Sequence, residues 1–293
     1  MFKRDLEFYS IETAGIDFCS ILRDINNKSN KSSKEGGRVL EVGTFDISLM
    51  EFNEDNDFCE GIIVRSDKED LPLIGNIFTK VLRILGLKKD EGLIDMTYFC
   101  YIKKLNILCL LPARKGVKWG TFKYYIQSIH VIKNNFEIYP LLTKNAIKKY
   151  KKMGSITFVD AILHIGNNSQ PSSNKIQDTP LLELIQEAKN ANAGRLKLEI
   201  FNEKHKGGLE ITPIKQFVEI LRKVGVLYDA ESIRIKGSTS SEESDVVIDL
   251  IKDRYKLKID LGDRSRYLNF DECSKNVHKA INDNLEDIKE LIE

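Results

Sequence analysis

The chain has 293 residues, of which 42% are hydrophobic and 30% charged, and its 45 Lys+Arg against 44 Asp+Glu leave a net charge of +1. That is ordinary for a globular protein with a sizeable core in one large or two smaller domains. Five cysteines (Cys19, Cys59, Cys100, Cys109 and Cys273), an odd number with no Cys-x-x-Cys pair, argue against a disulfide framework or a zinc ribbon.

The opening Met1–Glu7 carries acids where a signal peptide needs an apolar core. The apolar stretch Leu71–Leu87 is broken by Lys80 and Arg83 and is too short to span a bilayer. The expectation is a cytoplasmic protein in a reducing compartment, with Cys100 and Cys109 as buried hydrophobes and with no cofactor or metal.

In chain order, Leu6–Ile11 reads as a first strand, and Ile16–Ile25 as a helix with Ile16, Ile21, Leu22 and Ile25 near one face. Asn26–Gly37 is loop by composition. Val39–Phe52 has largely period two and predicts one or two strands, followed across the acidic turn Glu54–Asp57 by the strand Gly61–Val64. Leu73, Ile74, Ile77, Phe78, Val81, Leu82 and Leu85 fall at helical spacing. They predict an amphipathic helix that either covers the core or, through Lys80, Arg83, Lys88 and Lys89, lies on an anionic membrane.

Met96–Tyr101 and Leu105–Leu111 predict a hairpin of buried strands, and Trp119–Ile129 predicts a helix. Phe136–Leu142 is a strand, Asn145–Met153 a basic helix and Ser155–Ile165 a long strand. The polar, turn-rich segment 166–180 predicts a linker. After it come the helix Leu181–Ala191, the strand Leu196–Phe201, the helix Thr212–Val224 and the strand Ile233–Lys236. Val246–Ile251 and Tyr255–Leu261 read as a hairpin, and a terminal helix from Asp271 lines Val277, Ile281, Leu285, Ile288 and Ile292 along one side.

Without a regular βαβ repeat, the expected class is α+β: mostly antiparallel sheets with interspersed helices in two lobes. The lobes divide into an N-terminal α+β domain at 1–166, carrying the basic zone, and a C-terminal α+β domain at 180–293. The apolar side of the terminal helix serves either its own C-terminal sheet or a homodimer.

The net charge hides an asymmetry. Residues 1–100 hold 13 Lys+Arg and 19 Asp+Glu, net −6, whereas residues 101–152 hold 12 and one, net +11. The bases Arg114, Lys115, Lys118, Lys123, Lys144, Lys148, Lys149, Lys151 and Lys152 alternate with Trp119, Phe122, Tyr124, Tyr125 and Tyr150. A cationic zone with π-faces fits a polyanion, and nucleic acid is the commonest one. On a helix, Lys144, Lys148 and Lys152 line up at i+4 steps, a repulsive array that phosphates would relieve. The other reading is a solvated face balanced by the acids of the first hundred residues.

Gly116 and Gly120 could admit a phosphate near Trp119, which is either a stacking platform or a core anchor beside Phe122. Arg254, Lys256 and Lys258, with Arg264 and Arg266 beyond, form a third basic group that an exposed sheet face would equally produce.

Signs of catalysis are sparse. His130, His164, His205 and His278 are scattered, and the spacings of a P-loop, a zinc protease or a Gly-x-Ser-x-Gly elbow are absent. The acid-x-Lys matches Glu187–Lys189 and Asp287–Lys289 fall in predicted helices, where a metal-dependent nuclease would need strands. Acids distant in sequence could still converge.

The stretch Ile107–Ile165 holds an apolar strand ending in a short basic, Gly-containing helix, then Phe136-Glu-Ile-Tyr-Pro-Leu-Leu-Thr-Lys, then Met153-Gly-Ser-Ile-Thr-Phe-Val-Asp-Ala. It resembles the middle of the RexA-type phage-exclusion proteins of temperate phages, and the later order of elements is similar too. The resemblance covers about two thirds of the chain as a pattern of elements and carries over no functional residue. It implies DNA binding without sequence preference, a homodimer, and a role in phage exclusion or anti-phage defence beside a defence-system partner protein. Docking of an acidic protein partner on the basic zone is the alternative.

Overall fold

The computed structural model of the chain describes residues 3–13, 15–68, 73–76, 81–88, 91–130, 136–164, 180–201, 209–210, 214–218, 221, 230, 232–239, 245–261 and 267–292. The predicted linker, save Pro180, lies outside these residues, as do His205, Arg264 and Arg266.

The fold is α+β, built on two mostly antiparallel sheets. The larger contains β1 (Lys3–Glu12), β2 (Leu40–Val42), β3 (Phe45–Glu54) and β4 (Phe58–Asp67). It continues with β7 (Leu93–Ile102), β8 (Ile107–Pro112), β9 (Glu137–Pro140) and β14 (Lys256–Asp260). Their order is β14-β1-β8-β7-β4-β3-β2, and β9 also pairs with β1.

Alternation along each strand assigns its residues to two different cores. On β8, Leu108 and Leu110 join one cluster while Ile107, Cys109 and Leu111 join the other. On β4, Cys59 and Ile63 face the first cluster, and Ile62 and Val64 the second. The first is covered by α1 (Phe18–Asn26) and α2 (Trp119–His130), the second by α6 (Phe270–Asp283) and α7 (Leu285–Glu290). With both faces covered, β4, β7 and β8 are buried over most of their length. Gly61 is fixed by crowding: a Cβ there would meet the Glu51 carbonyl oxygen at 2.2 Å and the Phe99 ring at 2.8 Å.

The smaller sheet runs β11 (Arg195–Phe201), β10 (Met153–His164), β12 (Ser232–Thr239), β13 (Val246–Asp249). Its core takes side chains from α3 (Lys144–Lys152), α4 (Pro180–Asn190) and α5 (described over 214–218). Ile147 of α3 packs against both this core and the second cluster of the large sheet, so α3 is the joint between the sheets.

Five expectations change. In the segment expected to be a helix, the described residues form strands: β5 (Leu73–Asn76) and β6 (Val81–Ile84) pair antiparallel, with Leu73 opposite Ile84. A dense apolar run satisfies helical and strand periods alike, and the β-branched Ile74, Val81 and Ile84 favour the strand. Val246–Ile251 and Tyr255–Leu261 form no hairpin, since β13 pairs with β12 and β14 with β1. The chain passes from one sheet to the other between them.

The division at 166/180 therefore does not separate the packing: β14 and α6, assigned to a C-terminal domain, complete the large sheet and its second face. Burial of Val277, Ile281, Ile288 and Leu291 there is worth roughly 6–12 kcal/mol gross, so most of this helix side is core rather than a dimer surface, with Leu285 half-buried and Ile292 exposed. Lastly, Cys19 and Cys59 form a disulfide with Cα atoms 6.0 Å apart, against the expectation of unpaired cysteines. Cys100, Cys109 and Cys273 are free and buried.

Candidate nucleic-acid interface

α3 begins where Thr143 accepts a hydrogen bond from the Ala146 N–H, and Ala146 turns inward. The same helix splits its lysines into two groups. At its start, Lys144 is held between Asp287 and Glu290 of α7, each at 2.7 Å. The hydrogen bond to Asp287, then that to Glu290, raise its pKa above the ordinary lysine value. Lys144 thus pins the terminal helix and is removed from the candidate interface.

At the other end, Lys148, Lys151 and Lys152 are exposed and Lys149 is half-buried. Among the described residues none of these four has an acidic partner. Three of them, Lys149, Lys151 and Lys152, occupy the last turn, where the helix dipole favours cations by ~0.3–1 kcal/mol each. That offsets the few tenths of a kcal/mol lost per close lysine pair, so the cluster folds without a counter-ion. Lys215 of α5 adds a further cation, with its Nζ 5.7 Å from the centre of the Tyr150 ring. Sequence spacing gives no sign of it, because the contact joins positions 65 residues apart.

The segment before α2 contributes Arg114, Lys115 and Lys118, all exposed. Lys123 does not belong with them. It is fully buried, and its Nζ pairs with Glu137 at 2.7 Å. On α2 it follows Phe122 onto the covered side, and β9 supplies the carboxylate that makes this tolerable.

Trp119 is core, 5% exposed, stacked on Tyr9 with centroids 5.5 Å apart and with the Arg254 guanidinium 5.2 Å from its ring. It offers no platform for a base. Gly116 is likewise explained by packing, since a Cβ would come within 2.6 Å of the Thr97 hydroxyl. Arg254 also lies in a bridge with Leu142, next to the cap of α3, and so stands between the two basic segments. Lys256 and Lys258 form ion pairs with Glu7 and Asp5 across the β1–β14 ladder, which makes them sheet-face partners.

Acids do converge on the small sheet. Glu199, Asp160, Arg234 and Asp249 stand in register across β11, β10, β12 and β13. Arg234 fills the row's centre, bonded to both oxygens of the buried Asp160 at 2.8 and 2.6 Å, so Asp160 is neutralised rather than open to Mg²⁺. Glu187 and Lys189 lie on α4, and Asp287 and Lys289 on α7, as helical residues. Among the described residues, no helix is long and apolar enough to cross a membrane. No family model matches this chain, and no curated protein matches it.

Proposed function

We propose that the chain binds nucleic acid, duplex DNA in the first place, without sequence preference, through the lysine end of α3. The observation that carries this reading is that Lys148, Lys149, Lys151 and Lys152 share one helix end with no acidic partner among the described residues, while Lys144 and Lys123 are engaged in the fold. Lysines meet phosphates as point charges and carry no base information, which is why little sequence preference is expected. Arg114, Lys115, Lys118 and Lys215 extend the cationic surface. Following the RexA-type resemblance, the proposal extends to a homodimer acting in phage exclusion or anti-phage defence, with its interface on a surface other than the buried face of α6.

Replacing Lys148, Lys149, Lys151 and Lys152 together by Ala tests the site. Exposed helical lysines contribute little to stability, and Ala has the higher helix propensity, so the variant should fold normally. Its affinity for a duplex in a gel shift at low salt should fall by about tenfold or more. Undiminished affinity in the folded variant would overturn the assignment to α3.

A further inference from the structure

On the opposite side of the large sheet from the disulfide, three chemically different donors meet. Glu60 and Cys100 are direct cross-strand partners on β4 and β7 and point to the face that α6 covers. His278 comes down onto them from α6, with its Nε2 3.0 Å from a Glu60 oxygen. A carboxylate oxygen, a thiol sulfur and an imidazole nitrogen thus lie within 4.8 Å of one another. From this geometry we propose that Glu60, Cys100 and His278 bind a divalent transition cation of the zinc class, clamping the terminal helix to the large sheet.

The donor set selects the metal. Sulfur and imidazole nitrogen suit Zn²⁺, whereas Mg²⁺ and Ca²⁺ take oxygen ligands almost exclusively. The surroundings resemble the outer shell of a metal site, in which the ligands are themselves held in place. Ser274, one turn before His278, donates to the second Glu60 oxygen at 3.1 Å, and the Tyr98 hydroxyl donates to the first. The Phe58 ring stacks on the imidazole at 4.2 Å and fixes its plane.

One group is left over. His278 Nε2 is buried at ion-pair distance from Glu60 but is not aligned for a hydrogen bond, an arrangement a shared cation would satisfy. Cation binding would take the Cys100 sulfur as the thiolate and release its proton to solvent. Three protein donors leave the fourth tetrahedral position to water, and with Glu60 and Cys100 buried and His278 mostly so the ion would lie between α6 and the sheet.

The test is metal content and Co²⁺ spectroscopy on the full chain. After equilibration with Zn²⁺ and removal of excess, the protein should retain one zinc per chain, and its Tm should drop on chelation. Co²⁺ should give a thiolate-to-metal charge-transfer absorption that Cys100→Ser abolishes and His278→Gln weakens. Cys19, Glu54 and Cys59 form a second such group if the disulfide is reduced, so the double variant Cys19→Ser, Cys59→Ser is the control and should keep the signal. Folded wild-type protein that retains no zinc and shows no charge-transfer band would overturn the proposal. So would a signal lost in the double variant. Should Cys100→Ser fail to fold, the wild-type and His278→Gln measurements still decide.

Discussion

Lys123 sits fully buried on α2 with its ammonium 2.7 Å from Glu137, whereas Lys151 on α3 is exposed at a helix end with no acidic partner among the described residues. Both are lysines in the same basic stretch, so composition cannot rank them, and only their surroundings assign a role. Removing one partner of a buried pair leaves the other charge poorly solvated, at a cost of about 3 kcal/mol. Removing an exposed lysine changes stability by about 0.5 kcal/mol at most. Lys123→Ala should accordingly lower the urea midpoint strongly, and Lys151→Ala hardly at all. Equal midpoints for the two variants would mean that the Lys123–Glu137 pair is not what holds α2 to β9. Nothing in the local sequence marks Lys123 as different, since its partner lies 14 positions on in another element. Trp119, by contrast, was open between two roles in the sequence, and its stacking on Tyr9 decides for the core.

Among the elements, α1 is tied to the large sheet in a way that its amphipathic pattern does not reveal. Asp17 caps it by accepting from the Cys19 and Ser20 N–H groups, and Cys19 then bonds to Cys59 on β4. With the cysteines 40 positions apart, the loop-entropy account assigns this bond ~3–4 kcal/mol. Thiol titration of the unfolded, unreduced protein should find three free thiols, those of Cys100, Cys109 and Cys273. Reduction should then lower the midpoint of unfolding. Five thiols before reduction would contradict the pairing. Cysteine spacing is silent here because the bond depends on which face of β4 Cys59 occupies, a matter of sheet register.

Most other strands and helices were legible, because period two and helical spacing are local signals. β7, β8, β10, α2 and α3 fall close to where alternation and helical spacing put them. The misreadings share a cause: β5–β6 and the β13–β14 crossing depend on which strand pairs with which, and pairing is not a local property.

At the scale of the whole molecule, the last strand and the last helix return to the first sheet, so neither half of the chain closes its own core. Residues 1–166 expressed alone would leave Leu6, Phe8, Ile62, Tyr98 and Cys109 without the cover of α6 and α7. Such a fragment should aggregate or bind hydrophobic dye, and a monomeric fragment with a cooperative melt would show that the large sheet closes without them. The positive charge, traced through this fold, narrows from a stretch of 52 residues to the end of α3 and the segment before α2.

The central claim is that this end of α3 meets phosphates, and the salt dependence of duplex binding tests it most directly. If Lys148, Lys149, Lys151 and Lys152 each neutralise a phosphate, log K should fall with log salt at a slope of about −4 per chain, whatever the base sequence. A slope near zero, or no complex even at low salt, would contradict the account.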